Sequence, residues 1–423
     1  MANIKPFKGL RYTEKAGELS SLCCPPYDII SEGERASYLD RNPQNIIRIE
    51  LPTILSDSPE FDAYSTANLF LKDWLGKGLL SEDDSDSYYV YEMKFSHKGQ
   101  EKSLKGLVAA VKAVPFSDGV VLPHEETLSK AKEDRYKLIS AIKTNVSHIY
   151  SMFRDDGEVA AIIEKIATND PIGSFKDGSD VTHTLWRSAD TSVNYKLTSL
   201  FTDKKLYIAD GHHRYETAVN YAANSGNAGA SHVLMTLVPF DDAGLVVLPT
   251  HRIVKNVSFD YRDLIGKLSQ NFEVTEYLNR EKGEVALYNA EQNGDTAFTL
   301  FVGDNNYINL KLRNHDAVAN ALPNTSNAYR SLDVAVLHSL VLEPFFGINK
   351  DNMANGEHLA YTRSSDEALS EVDGKRAACA FLLNPTKVTQ IGDVAAAGEK
   401  MPQKSTYFFP KLTTGIVMRR LGE

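Results

Sequence analysis

Apolar positions along the chain switch between helical and alternating spacing over short stretches, and the switches predict an α+β protein with mixed sheets. Residues 60–80, FDAYSTANLFLKDWLGKGLL, place Phe61, Tyr64, Leu69, Trp74 and Leu75 at helical spacing and stop at Gly76 and Gly78. That pattern predicts an amphipathic helix. Before it, the turn Cys23-Cys24-Pro25-Pro26-Tyr27-Asp28 leads into a short helix with Ser31 as its cap. The apolar run Ile46-Ile47-Arg48-Ile49-Glu50-Leu51 then predicts a strand. Two further strands, over 88–95 and 104–114, are joined by His97-Lys98-Gly99-Gln100-Glu101, which predicts a hairpin.

A charged helix follows over about 129–143. A strand over 205–209 then runs into the polar corner Asp210-Gly211-His212-His213-Arg214, and a helix over 215–224 leaves it. Strands at 232–238 and 245–248, a helix–strand section over roughly 259–312, a helix at 332–342 and a strand-like tail over 407–418 around Pro410 complete the pattern. These segments divide the chain into an N-terminal α+β lead-in (1–115), a motif-bearing core (116–255) and a C-terminal α+β domain (256–423) whose tail is expected to return to the site. No repeat of 20 to 50 residues is visible, which disfavours solenoids and propellers.

Composition narrows the classes. With 423 residues and 42% hydrophobic side chains, the chain can bury proper cores and is not globally disordered. Its net charge is −10, which disfavours coating a nucleic acid by phosphate neutralisation. No stretch approaches the roughly 20 apolar residues that cross a bilayer, and MANIKPFKGLRY turns polar before a signal-peptide core could form. The expectation is a cytoplasmic protein without a membrane partner. Three cysteines, two of them adjacent, build neither a disulfide framework nor a zinc knuckle, and are expected to be reduced.

The usual phosphate and hydrolase signatures are missing. Gly266-Lys267 is followed by Leu268, so no Walker loop forms, and no GxGxxG or GxSxG occurs. His124-Glu125-Glu126-Thr127-Leu128 puts leucine where a zincin needs its second histidine. The corner at 210–214 is different in kind. It gathers one carboxylate, two imidazoles and one guanidinium where a strand hands over to a helix. Gly211 would let the backbone approach a ligand, the first helical N–H groups face outward, and Arg214, His212 and His213 can bind phosphate oxygens. Asp210 could hold a divalent metal or orient a hydroxyl; alternatively it caps the helix while the histidines satisfy a turn.

Tyr207-Ile208-Ala209-Asp210-Gly211-His212-His213-Arg214-Tyr215 resembles the strand–DGHHR–helix signature of the free L-serine kinases of the ParB/sulfiredoxin-like superfamily. Pro123-His124-Glu125 resembles their PHE motif, and Pro402-Gln403-Lys404-Ser405-Thr406 resembles their C-terminal P-K-T-T segment. Over its whole length the chain resembles the bacterial DUF1015 family, through CPPYD at 24–28, LPHEETLS at 122–129, ADGHHRYETA at 209–218, LPTHR at 248–252 and MPQKSTYFFPKL at 401–412.

The resemblance implies a ParB/sulfiredoxin-like, serine-kinase-like core with added α/β elaborations. It implies a phosphotransferase that uses ATP or ADP, with Mg²⁺ near Asp210, and turns free L-serine into O-phosphoserine, reversibly or not. Glu125 would be the catalytic base and Asp210 its catalytic and metal-binding partner. Gly211, His212, His213 and Arg214 would clamp the donor phosphates, with Lys404, Ser405 and Thr406 closing over them. His124, Arg252, Tyr27 and Asp28 are further candidates for contact with the substrate. Arg252 could take the serine carboxylate or sit in a surface turn, and Tyr27-Asp28 could line the pocket or form a rigid turn. A nucleotide-sensing module without catalysis and a small-metabolite phosphohydrolase remain the alternative functions.

Overall fold

The computed structural model describes residues 1–54, 62–127, 129–349, 353 and 356–422. Phe61 of the expected helix and Leu128 of the LPHEETLS stretch lie outside the described residues. The chain forms two compact units, one of residues 1–123, 127–246 and 410–423, the other of residues 124–126 and 247–409. The architecture is α+β with several sheets, as the spacing predicts.

Among the described residues, the first unit holds a nine-stranded mixed sheet. Its strands run in the order Val121–Leu122, Leu206–Asp210, Ile149–Phe153, His232–Pro239, Gln100–Lys112, Tyr88–His97, Thr182–Ser188 and Gly173–Lys176, and Ile4–Lys5 also pairs with Gln100–Lys112. Leu206–Asp210 is parallel to Val121–Leu122, and His232–Pro239 is parallel to Ile149–Phe153. Val90, Leu107, Val111, Ile149, Leu206 and Ile208 pack with Val159, Leu197 and Tyr215 of the covering helices into one core. The hairpin is tighter than the sequence suggests. Lys98 and Gly99, with φ of 51° and 74°, make a two-residue turn, and His97 faces Gln100 directly.

A second core of this unit corrects one reading. Residues 46–51 do not form a strand; Ile47–Glu50 is a helical turn. The Asn45 side chain accepts a hydrogen bond from the Ile47 backbone N–H at 2.9 Å, which starts the turn. Ile46, Ile47 and Ile49 then pack against Leu71, Trp74 and Leu138. A short apolar run suits a buried helical turn as well as a buried strand. The neighbouring helices follow the sequence. Glu32–Arg41 begins with a full Ser31/Glu34 capping box, and Ala63–Gly76 is capped by Asp62.

The tail also departs from expectation. Of residues 407–418, only Tyr407–Phe409 is a strand; Thr414 and Met418 make isolated bridges to Cys24 and Leu10, and the next strand is Arg419–Arg420. Pro410 has no N–H to continue a ladder. Beyond it, Thr414 N–H and the Thr413 hydroxyl both donate to the Cys24 carbonyl, at 2.7 and 3.2 Å. All three cysteines are buried free thiols.

The second unit holds a six-stranded antiparallel sheet among the described residues, in the order Phe272–Tyr277, Tyr307–Leu312, Ala297–Phe301, Cys379–Leu383, His251–Val254 and Leu359–Thr362. The expected helix at 332–342 is built in stages, Asp333–Leu337 and a wider π turn at His338–Leu342, and continues as Glu343–Phe346 to a left-handed Gly347.

Candidate functional site

In the first unit the chemistry collects where Leu206–Asp210 ends. Gly211 takes φ 92°, a left-handed conformation that glycine adopts without strain, and the helix His212–Asn224 begins at once. The helix therefore starts three residues earlier than the sequence suggests. His212, His213 and Arg214 form its first turn. A methyl group on Gly211 would lie 3.1 Å from the Arg214 guanidinium, so the glycine serves both the turn and the approach of that side chain.

Asp210 does not cap the helix, whose N-cap is Gly211 with no side-chain cap bond. Its carboxylate is shared by two cations. Lys411 Nζ lies 2.5 Å from Oδ1, and Arg214 Nη2 lies 2.7 Å from Oδ2. Burial opposes the charge on Asp210, yet Lys411 and Arg214 hold its carboxyl well below the usual carboxylate range. Arg214 is further fixed by donating through Nη1 to the His148 carbonyl. Burial pushes the His148 imidazole down to about 4, so the ring is neutral. Its Nε2 donates to the Val417 carbonyl at 2.7 Å, and Nδ1 accepts from the Thr236 hydroxyl at 2.7 Å.

Tyr27 and Asp28 belong to the same neighbourhood. The Arg135 guanidinium lies over the Tyr27 ring at 4.0 Å, and Asp28, Glu50 and Tyr27 all support the positive charge of Arg214. Arg135 Nη1 donates to the Glu50 carbonyl at 2.9 Å. A cavity of about 50 Å³ is lined by Glu50, Arg135, Ser147, Arg214 and Thr217.

In the second unit, residues 124–125 and 401–406 come together. Met401 N–H donates to the His124 carbonyl at 2.8 Å, and Glu125 and Met401 form a parallel bridge. Lys404, with φ 56°, donates its backbone N–H to Glu125 Oε1 at 3.2 Å. The buried His124 ring lies 2.9 Å through Nε2 from the Thr406 hydroxyl. The Ser405 hydroxyl donates to the Pro402 carbonyl at 2.5 Å and its own carbonyl accepts from Thr386, so this side chain closes the turn. Arg252 reaches the same turn, donating through Nη2 to the Gln403 carbonyl at 3.3 Å and through Nη1 to the Thr250 carbonyl. It is buried, not part of a surface turn.

The family described as a protein of unknown function, DUF1015, matches residues 4–335. The chain belongs to this family. The match takes in the CPPYD, PHEE and ADGHHR stretches of the DUF1015 chain and ends before MPQKST. No curated protein matches the sequence. Solved structures similar to this DUF1015 chain include a conserved hypothetical protein from Pyrococcus furiosus, at 15% identity over 72% of this chain and 93% of that one, with a TM-score of 0.35. A free serine kinase in complex with AMP is similar at 15% identity, over 69% and 84%, with a TM-score of 0.34. SbnI from Staphylococcus aureus, truncated at its C-terminus, is similar at 11% identity, over 73% and 85%, with a TM-score of 0.36.

Two further points concern the DUF1015 chain itself. Both Asp210 oxygens already carry a cation, and no group of three or more His, Cys, Asp or Glu that could hold a metal occurs among the described residues. The residues therefore do not fit a resident Mg²⁺ held at Asp210. No helix among the described residues is long and apolar enough to cross a membrane. The sequence alone singles out none of Lys411, His148, Glu50, Arg135 or Tyr361. Only Lys411 had a signal, since it lies inside the quoted MPQKSTYFFPKL stretch.

Proposed function

We propose that the chain is a nucleotide-dependent phosphotransferase whose acceptor is a small hydroxy amino acid, free L-serine in the first place, giving O-phosphoserine. The observation that carries the reading is the gathering of Lys411 and Arg214 on Asp210 at the N-terminus of helix His212–Asn224. Two cations and the outward N–H groups of a helix are what a terminal phosphate needs, and the carboxylate keeps the cations in place until the anion arrives. The nine-stranded sheet with this strand–glycine–helix corner is read as the ParB/sulfiredoxin-like core.

The donor, ATP or ADP, binds through its terminal phosphates to Gly211, His212, His213, Arg214 and Lys411. A Mg²⁺ carried by the nucleotide would supply charge shielding for its phosphates, and no residue of the chain is assigned to hold it. Glu125 takes the proton of the acceptor hydroxyl as that oxygen bonds to phosphorus and the bond to the nucleotide's bridging oxygen breaks. The Lys404 N–H on Oε1 orients the Glu125 carboxylate, which supports its role as base. Lys404, Ser405 and Thr406 are assigned to the closing turn, and His124, Tyr27 and Asp28 to the walls.

The test is incubation of the pure protein with L-serine, Mg²⁺ and ATP or ADP, with phosphoserine and nucleotide followed together. Glu125→Gln should lower kcat by about 10²–10⁴-fold. The reading fails if no phosphoserine forms with either donor, or if Glu125→Gln keeps full turnover.

A further inference from the structure

The sheet of the second unit places an uncompensated positive charge in its interior. Arg252 is 1% exposed and forms no ion pair with a carboxylate among the described residues. Burial pushes its guanidinium down to about 10, and Tyr361 offsets only part of the loss of water. The strand His251–Val254 lies between Leu359–Thr362 and Cys379–Leu383, and its register sets Arg252 directly opposite Tyr361. Cross-strand partners stand on one face, and the guanidinium lies 5.3 Å from the Tyr361 ring centroid.

The hydrogen bonding of this pair is incomplete. Arg252 Nη1 and Nη2 go to the Thr250 and Gln403 carbonyls, which leaves Nε without a partner. The Tyr361 hydroxyl is buried and has none either, and neither has His338 Nε2, whose imidazole feels the Arg252 charge. Buried donors left this way are rare unless a ligand completes them. The Glu125 charge is also felt by the Tyr361 phenol, where it opposes the effect of Arg252.

We propose that Arg252 Nε and Tyr361 Oη form the subsite for the carboxylate of the acceptor, which rests on the phosphotransferase reading and restricts its substrates to molecules with a free carboxylate near the hydroxyl. One guanidinium matches one negative charge, and the neighbouring Glu125 disfavours a dianion such as phosphate. A separate cavity of about 20 Å³ against Arg252 is lined by Thr250, Asp333 and Ser405 and does not take in Tyr361. Amides, amino alcohols and serine inside a peptide are excluded as acceptors, because each leaves the guanidinium without its counter-charge. Tyr361 acts here as a specificity residue, since its hydroxyl has no structural bond to lose.

Calorimetric titration of the full chain with L-serine, L-threonine and glycolate, and with serinamide and ethanolamine, tests this. The three carboxylates should bind and the two others should bind at least about tenfold more weakly. Tyr361→Phe should weaken the carboxylates about tenfold and leave serinamide, ethanolamine and ADP unchanged. Arg252→Lys, which keeps the charge but not the Nε edge, should do the same. Equal binding of serine and serinamide, no binding of any carboxylate, or an unchanged ratio in Tyr361→Phe overturns the subsite. Discrimination without phosphoserine formation sinks only the phosphotransferase reading, and turnover of serine and serinamide alike sinks only the subsite.

Discussion

Asp210 and Lys411 form an ion pair of 2.5 Å across 201 residues of sequence. Both side chains are largely buried, so the pair ties the end of the chain to the strand–helix corner. Removing the lysine leaves Asp210 with its ion pair to Arg214 and the weaker influence of His212. Lys411→Met should lower stability by about 1–3 kcal/mol, read from urea unfolding. It should also weaken ADP binding at least about tenfold, read by calorimetry, with partial recovery in Lys411→Arg. Unchanged ADP affinity would remove Lys411 from the phosphate clamp.

Gly211 is required twice over, by its left-handed backbone and by the Arg214 guanidinium beside it. Gly211→Ala should cost about 1–2 kcal/mol from the positive φ. Because the added methyl also displaces Arg214, nucleotide affinity should fall more than stability alone explains. A variant with lowered melting temperature and intact ADP affinity would show that the Arg214 position does not matter for binding.

Asp333 gives the second unit a pH dependence. Burial raises its carboxyl to about 7, against the ordinary value of 3.8. The folded state therefore holds a proton that the unfolded chain releases between pH 4 and 7. Stability from this group is fully present below about pH 4, declines as pH rises through 7, and is flat above it. The loss is at most about 4 kcal/mol. Asp333→Asn keeps an acceptor for the Ala297 N–H and should flatten the melting-temperature profile over that window. The same slope in the variant would refute the assignment.

Chelation separates a resident metal from one carried by the nucleotide. With both oxygens of Asp210 taken by cations, dialysis against EDTA should leave the melting temperature of the ligand-free protein unchanged while ATP binding becomes weaker. A drop in the ligand-free melting temperature would reveal a structural ion.

The sequence by itself determined what is local. The Ser31 cap, the hairpin after Tyr88–His97 and the strand–glycine–helix corner at 206–224 are each set by residues a few positions apart, and the pattern locates all three, although the turn is tighter and the last helix begins three residues earlier than it suggests. The run at 46–51 escaped that logic because its apolar residues fit either a strand or a helical turn, and the turn is held by bonds to Leu22 and Asn45 and by packing on distant helices. Lys411 on Asp210, Lys404 on Glu125 and Arg252 opposite Tyr361 join positions 201, 279 and 109 residues apart, since 361 − 252 is 109. No short-range signal encodes such pairs. They exist because sheet register and buried cores bring distant strands and turns within hydrogen-bond reach, and only the packed structure decides which charges then meet and which are left without a partner.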